Sequence, residues 1–158
     1  MILYYTRSQK TKVFAEALGE ILGMPLYRLE SDIDNMKSFK FFRKALGMVF
    51  SGKGFPVTNM PESVPEEVYV CGPIWGGRFV GPHKYFIENA DLSKTKVNLL
   101  MTAQTPTEKY RTKALEDLSK IKCIPGEAYI FATNSGTNLP EREIALEHLR
   151  ELLGDASE

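Results

Sequence analysis

The sequence is poor in the residues that build metal centres and disulfide frameworks. Among its 158 residues there are two cysteines, Cys71 and Cys123, and two histidines, His83 and His148. The cysteines form no CxxC pair, and the chain offers too few ligands for a zinc cluster or a disulfide scaffold. We therefore expect neither a metal site nor a fold that depends on disulfides.

The charges show no excess of either sign, and the apolar residues form no long run. Twenty basic and 20 acidic residues give a formal net charge of zero, and the sequence pI is about 6.8. A general nucleic-acid binder would carry a basic excess or a concentrated basic stripe, so we expect no nucleic-acid partner. No stretch approaches the ~20 consecutive apolar residues that cross a bilayer, and the N-terminus lacks the order of a signal peptide. We expect a cytoplasmic protein with no integral membrane segment.

What the sequence does contain is an alternation of short apolar runs and longer helical patterns. The predicted strands are residues 1–5, 25–29, 68–72, 97–102 and 128–133, and the predicted helices are residues 11–22, 39–50, 82–89, 107–121 and 140–153. No repeat or linker divides the chain, so residues 1–158 are expected to form one domain. Strands that alternate with helices are typical of βαβ units, and right-handed crossovers predict a doubly wound α/β sheet with helices on both faces.

Two of the predicted helices have clear apolar sides. The first carries apolar residues at helical spacing, followed by Gly23 as a stop signal: Val13, Phe14, Ala17, Leu18 and Ile21. The second carries four apolar residues on one side: Phe42, Leu46, Val49 and Phe50. Both patterns indicate amphipathic helices.

In a doubly wound sheet, ligands bind at the carboxyl ends of the strands, so the loops after the first, third and fourth strands are the candidate site. The first loop is rich in hydroxyl and cationic residues and directly precedes a helix: Thr6, Arg7, Ser8, Gln9, Lys10 and Thr11. Hydroxyl donors, free backbone N–H groups and the positive end of a helix dipole together suit a phosphate group. The alternative is that Ser8 or Thr11 only caps the helix.

The loop after the third strand contains the only tryptophan of the chain, flanked by small residues: Pro73, Ile74, Trp75, Gly76 and Gly77. An aromatic side chain at a strand end can cover a planar ligand while the glycine backbone approaches the edge of that ligand. The alternative is a tryptophan that packs against neighbouring helices. The loop after the fourth strand, with Thr102, Ala103 and Gln104, suits a ligand contact or an ordinary turn equally well.

At these positions the sequence resembles the flavodoxins, single-domain proteins that carry flavin mononucleotide (FMN). Residues 2–11 look like the family's apolar strand and its hydroxyl-rich loop S/T-x-T-G-x-T, and residues 13–16 look like the start of the following helix. Residues 72–75 are similar to the G-x-P-I-W segment, residues 86–87 to its F-L pair, and residues 92–102 to L-x-G-K-x-V. The three segments occur in the family's order and cover most of the chain.

The resemblance implies a three-layer fold with a five-stranded parallel sheet in the order 2-1-3-4-5. It also implies that Thr6, Ser8, Gln9, Lys10 and Thr11 surround the flavin phosphate. Trp75 would lie against the isoalloxazine ring, with Gly76 near the redox edge and Thr102, Ala103 and Gln104 under the rest of the ring. Gln9 stands where the family has glycine, so this residue is strained if the position requires a positive φ.

The expected function is therefore that of an FMN-binding flavodoxin-like protein in electron transfer or a flavin-dependent redox reaction. Its partner would be a redox protein or a small-molecule electron acceptor. Three other classes of similar fold are disfavoured. A receiver domain needs an aspartate at the end of the third strand, and a dinucleotide-binding unit needs G-x-G-x-x-G after the first strand; neither is present. A low-molecular-weight tyrosine phosphatase needs a cysteine in the first loop, and residues 5–11 contain none. The rival interpretation is a flavodoxin-fold protein that has lost flavin binding and acts as a protein-interaction module.

Residues 36–54 form a segment with cations and aromatics but no acidic residue. Its basic side chains include Lys37, Lys40, Arg43 and Lys44. The simpler interpretation is an ordinary helix with a solvated basic face. The functional interpretation is a docking surface for an acidic redox partner, with a membrane surface as the alternative partner.

Overall fold

The computed structural model describes residues 1–133 and 142–154. The strands are β1 (Ile2–Tyr4), β2 (Leu26–Arg28), β3 (Glu67–Pro73), β4 (Lys96–Ala103) and β5 (Ile124–Ala132). The helices are α1 (Lys10–Leu22), α2 (Ser38–Ser51), α3 (Pro82–Asn89), α4 (Glu108–Leu118) and α5 (Arg142–Gly154). The predicted last helix is confirmed over its described part, and residues 140 and 141 of that prediction lie outside the described residues.

The five strands form one parallel sheet in the order β2-β1-β3-β4-β5, which confirms the predicted order. Leu3 in β1 pairs with Tyr27 of β2 on one side and with Val70 of β3 on the other. Between β1 and β3 the direction of strand addition reverses. The loops that follow β1 and β3 therefore leave a crevice between them at the carboxyl edge of the sheet.

Helices cover both faces of the sheet because successive strand residues point to opposite sides. Ile2 and Tyr4 of β1 pack in one core with residues of α1 and α5, such as Phe14 and Leu149. Leu3 lies in the other core, which is formed with residues of α2, α3 and α4. The arrangement is the predicted three-layer α/β architecture.

Local sequence signals fix several element ends as predicted. Gly23 follows α1 in the left-handed conformation, with φ 63°, and its N–H caps the helix through the Gly19 carbonyl. Pro82 is the first residue of α3, where its missing N–H costs nothing. Both ends were predictable because glycine adopts a positive φ at little cost, whereas proline lacks the N–H that the interior of a helix needs.

Other boundaries differ from the prediction because tertiary pairing decides them. Strand β5 starts at Ile124, before the predicted start at residue 128, since Ile124 and Pro125 pair with the beginning of β4. An edge strand tolerates proline, so Pro125 did not exclude this pairing. Helix α4 ends at Leu118 rather than at residue 121, and a short 3-10 helix at Asp32–Asn35 was not predicted.

The apolar side predicted for α2 is not the side that enters the core. Met48 is the buried residue of this helix, and Phe41, Ala45 and Val49 pack against the core beside it. The predicted side included Val49 correctly, but its other members are exposed: Phe42, Leu46 and Phe50. The helix is therefore turned so that a second apolar stripe faces outward.

Within the described ranges, no helix is long and apolar enough to cross a membrane. The same residues contain no group of three or more histidine, cysteine or acidic side chains that could hold a metal ion. Cys71 and Cys123 are both free thiols.

Candidate functional site

A cleft of about 270 Å³ opens at the carboxyl ends of β1, β3 and β4. Most of the predicted site residues line it: Ser8, Lys10, Thr11, Pro73, Ile74, Trp75, Thr102, Ala103 and Gln104. Thr133 also lines it and was not predicted. The sequence prediction placed Thr133 at the end of the last strand, whereas β5 ends at Ala132. The backbone N–H of Thr133 donates to the Ala103 carbonyl at 2.8 Å, which holds Thr133 beside β4.

One end of the cleft is the first turn of α1. Gln9 precedes the helix with φ 65° and ψ −6°, the only positive φ of a residue other than glycine in the described chain. Lys10 and Thr11 are buried at the start of the helix. The first backbone N–H groups of a helix of this length have no partner within the helix and carry its positive dipole end.

A hydrogen bond between two hydroxyl groups connects the start of α1 to β4. Thr11 Oγ1 and Thr102 Oγ1 share a buried hydrogen bond of 2.8 Å across 91 residues of sequence. The structure thus places Thr102, predicted under the ring of a ligand, against the hydroxyl of the first loop. Thr102 holds the orientation of Thr11, a contact that no local pattern could reveal.

Thr6 lies directly after β1 and is almost completely buried, at 2% exposure. Its Oγ1 has no hydrogen-bond partner in the described structure. A buried hydroxyl without a partner costs about 1 to 3 kcal/mol, and native structures usually avoid this cost. Thr6 does not line the cleft, so its hydroxyl is a buried hydrogen-bonding group of the first loop that lacks a partner in the described structure.

Arg7 does not line the cleft and instead fastens the first loop to the segment that leads into α2. Its guanidinium donates to the carbonyls of Ile33, at 2.5 Å, and Met36, at 2.7 Å. The same group stacks over the Phe41 ring, with Cζ 4.0 Å from the ring centroid. The positive charge of Arg7 thus binds α2 and the preceding 3-10 helix.

The loop after β3 is a tight two-residue turn. Trp75 and Arg78 exchange both backbone hydrogen bonds at 3.0 Å, and the two central residues, Gly76 and Gly77, have φ values of 54° and 77°. Two consecutive positive φ values define a type I′ turn and explain why glycine occupies both positions. Neither glycine lines the cleft, which lies on the Trp75 side of the turn.

Trp75 belongs both to the cleft and to an aromatic cluster behind it. Its ring makes edge contacts with Tyr5, Phe41 and His83, with centroid separations of 5.9, 5.2 and 6.3 Å. The sequence left two interpretations of Trp75: it could cover a planar ligand, or it could pack against neighbouring helices. The structure is consistent with both. The cluster fixes the indole in place, and the remaining surface of the indole faces the cleft.

No protein-family profile matches the chain, and no curated protein matches it. Two solved structures do resemble it, and both are described as a "putative flavoprotein". The protein from Bacteroides uniformis ATCC 8492 is 16% identical, with a TM-score of 0.72 over 95% of this chain and 96% of that chain. The protein from Bacteroides eggerthii DSM 20697 is 18% identical, with a TM-score of 0.64 over 97% of this chain and 96% of that chain. The fold is flavodoxin-like.

His83 is a site-adjacent residue that the sequence did not reveal. Its side chain is fully buried between the Tyr5, Trp75 and Phe79 rings, and neither ring nitrogen makes a hydrogen bond. Burial, assisted by the charge of Lys84, lowers the pKa of His83 to about 3. The nearby Pro73 carbonyl opposes this shift of the pKa, although it does not reach hydrogen-bonding geometry with either nitrogen.

Gly72 explains how His83 reaches this position. A Cβ atom at residue 72 would lie 2.3 Å from Cγ of His83, so only glycine allows the imidazole to pack on the strand. The neutral imidazole acts here as an aromatic packing group, and it supports Trp75 from behind.

Proposed function

We propose that this protein binds FMN in the cleft and acts in electron transfer or in a flavin-dependent redox reaction. The observation that carries the proposal is the start of α1 at the cleft, which Ser8, Lys10 and Thr11 line. In the same loop, the buried hydroxyl of Thr6 has no hydrogen-bond partner in the described structure. Buried hydroxyl and backbone donors at a helix start are the groups that hold phosphate in proteins. The names of the two structural neighbours agree with a flavin as the ligand.

The donor set suits a phosphate group in its chemistry. The phosphate would accept hydrogen bonds from the hydroxyls of Thr6, Ser8 and Thr11 and from the backbone N–H groups of the first loop. Thr102 keeps the Thr11 hydroxyl oriented through their shared hydrogen bond. Lys10, buried at the same end, adds positive charge.

The other end of the cleft suits a planar ring. The indole of Trp75 is held by Tyr5, Phe41 and His83 before any ligand arrives, so little side-chain entropy would be lost on binding. Pro73 and Ile74 supply apolar contact, and Ala103 and Gln104 would lie along the ring from the opposite strand. FMN supplies the redox chemistry when bound, whereas the protein binds, orients and shields it.

The rival proposal is an interaction module without flavin. The observation in its favour is the exposed apolar stripe on α2, which would suit protein binding whether or not the cleft is used. For either function we propose the cytoplasm as the compartment, supported by two cysteines that are both free thiols.

The test is titration of the purified, flavin-free protein with FMN. We expect binding of about one FMN per chain, accompanied by quenching of the single tryptophan, because Trp75 lines the cleft. Freshly purified protein should also show flavin absorption bands. A colourless protein that neither binds added FMN nor changes its fluorescence would leave the interaction module as the better description.

A further inference from the structure

Helix α2 presents an apolar stripe to solvent. The stripe is formed by Phe39, Phe42, Leu46 and Phe50, which are 73%, 59%, 39% and 83% exposed. Their spacing of three and four residues places them in one line along the helix. Soluble proteins expose single apolar residues often, but a continuous apolar patch of this kind marks an interaction surface.

Cations flank the stripe, and no carboxylate does so from the same segment. Lys40, Arg43 and Lys44 are exposed beside it on α2, and with Met36 they line a groove of about 400 Å³. Residues 36–54 hold five of the chain's 20 basic residues and none of its 20 acidic residues. The rest of the chain holds 15 basic and 20 acidic residues and is net negative, whereas residues 36–54 are net positive.

The inner side of α2 is attached to both candidate cofactor loops. Near its start, Arg7 of the first loop binds the Met36 carbonyl and stacks on Phe41. Near its end, Arg78 of the tryptophan turn donates from Nη1 to the Val49 carbonyl at 3.0 Å. Phe41 also contacts Trp75. A molecule bound to the outer face would therefore sit one helix away from the cleft.

We propose that the outer face of α2 docks an acidic redox protein. An apolar patch on that partner would cover the phenylalanines, and carboxylates around the patch would pair with Lys40, Arg43 and Lys44. The binding surface stands on the geometry of α2 alone, whereas the redox character of the partner rests on the proposed function.

Charge complementarity selects this occupant over two others. A second copy packed α2 against α2 would bring the same three cations together, which opposes association. An anionic membrane would attract α2 but repel the net negative remainder of the chain. An acidic protein surface complements the cations of α2, and a partner of limited size can bind there without approaching the net negative rest of the chain.

The probe is a labelled amphipathic helical peptide of about 18 residues with a leucine stripe flanked by glutamates. The control peptide carries lysines in place of the glutamates. Fluorescence anisotropy is measured at about 0.05 M and about 0.5 M salt, where screening lengths differ several-fold. We expect the glutamate peptide to bind at least tenfold more tightly than the lysine peptide at low salt, and to lose most of that preference at high salt.

Two variants and a matched control locate the binding surface. Lys40→Glu/Arg43→Glu should weaken binding of the glutamate peptide at least tenfold, and Phe42→Ser/Phe50→Ser should weaken binding of both peptides. Lys94→Glu/Lys122→Glu makes the same change in net charge at exposed positions that precede β4 and β5, and it should change binding less than twofold.

Several results would overturn the docking proposal. They are equal binding of both peptides, no measurable binding of either peptide, or glutamate-peptide binding that Lys40→Glu/Arg43→Glu leaves unchanged. Binding to vesicles with about 30% phosphatidylglycerol but to neither peptide would identify a lipid surface instead. Self-association abolished by Phe42→Ser/Phe50→Ser would identify a second copy. Because the peptides can be tested with and without FMN, peptide binding without FMN binding would contradict only the proposed function.

Discussion

Gln9 is the residue at which the chain turns into α1, and it does so with φ 65°. This left-handed conformation is costly for a residue with a Cβ atom, whereas glycine adopts it freely. We predict that Gln9→Gly raises the free energy of unfolding by about 1 kcal/mol and tightens FMN binding. Urea denaturation and FMN titration measure the two effects.

The control for this change is Gln9→Ala, which removes the amide but keeps the Cβ atom. It should not increase the free energy of unfolding. If Gln9→Gly instead weakens FMN binding, the glutamine side chain is itself a ligand contact and the strain is of secondary importance.

His83 makes the stability of the protein depend on pH. Its pKa is about 3 in the folded state, below the ordinary value of 6.5, so the unfolded chain takes up a proton first as the pH falls. Stability from this group is complete above about pH 6.5 and is lost between about pH 6.5 and pH 3, at up to about 1.4 kcal/mol per pH unit.

The measurement is the free energy of unfolding of wild type and His83→Phe between pH 7 and about pH 5, above the range in which most carboxylates titrate. Phenylalanine keeps the aromatic contact with Phe79 but cannot be protonated. We predict that the wild-type stability falls more steeply as the pH is lowered. Parallel curves for the two proteins would show that His83 does not titrate as the structure indicates.

The residue types in the cleft could be predicted, but many of their partners could not. Hydroxyls before a helix and a tryptophan among glycines after a strand were visible in the sequence. The bond between Thr11 and Thr102 spans 91 residues. The carbonyls that bind Arg7 belong to Ile33, in the 3-10 helix, and to Met36, directly after it, 26 and 29 residues further along the chain. Long-range hydrogen bonds depend on how elements meet, which the local sequence does not encode.

At the scale of elements, α2 is held by arginines that come from other parts of the chain. Arg7 makes two charged hydrogen bonds to carbonyls and a cation–π contact with Phe41. We predict that Arg7→Met lowers the free energy of unfolding by about 2 kcal/mol. It should also speed hydrogen exchange in Ser38–Ser51 more than in β3 and β4.

Arg150→Met serves as the control, because Arg150 is exposed on α5 and the change removes the same charge. It should leave exchange in α2 unchanged. Equal acceleration of exchange throughout the Arg7→Met protein would contradict a local anchoring role for Arg7.

The existence of all five strands and all five α-helices was predictable, but the 3-10 helix at Asp32–Asn35 and the orientation of α2 were not. Two adjacent apolar stripes run along this helix, and its periodicity alone cannot say which one is buried. In the structure, Phe41 contacts Trp75 and Arg7, and these contacts place the stripe that contains Phe41 on the buried side of α2. Both contacts are tertiary, so the sequence pattern correctly predicted an amphipathic helix and misassigned its buried side.

At the scale of the whole molecule, the alternation of elements and the handedness of crossovers predict a doubly wound sheet, whereas the strand order 2-1-3-4-5 was implied by the resemblance to flavodoxins. Parallel strands joined by right-handed helical connections, with one reversal between β1 and β3, place the candidate loops at one edge. The position of the cleft was therefore predictable even where individual contacts were not. The nature of the ligand depends on the chemistry of the first loop.

Thr6 offers the sharpest test of that chemistry. Since its buried hydroxyl has no partner in the described structure, Thr6→Val removes a cost from the ligand-free protein, which should be at least as stable as wild type. The same change removes one hydrogen bond to a charged phosphate, worth about 1.5 to 3 kcal/mol, or about ten- to a hundredfold in affinity.

Calorimetric titration of wild type and Thr6→Val with FMN and with riboflavin, which lacks the phosphate, measures this directly. We predict that wild type binds FMN more tightly than riboflavin, and that Thr6→Val weakens FMN binding by about ten- to a hundredfold while riboflavin binding changes little. Equal binding of the two flavins by wild type, or an equal loss for both in Thr6→Val, would contradict a phosphate site in the first loop.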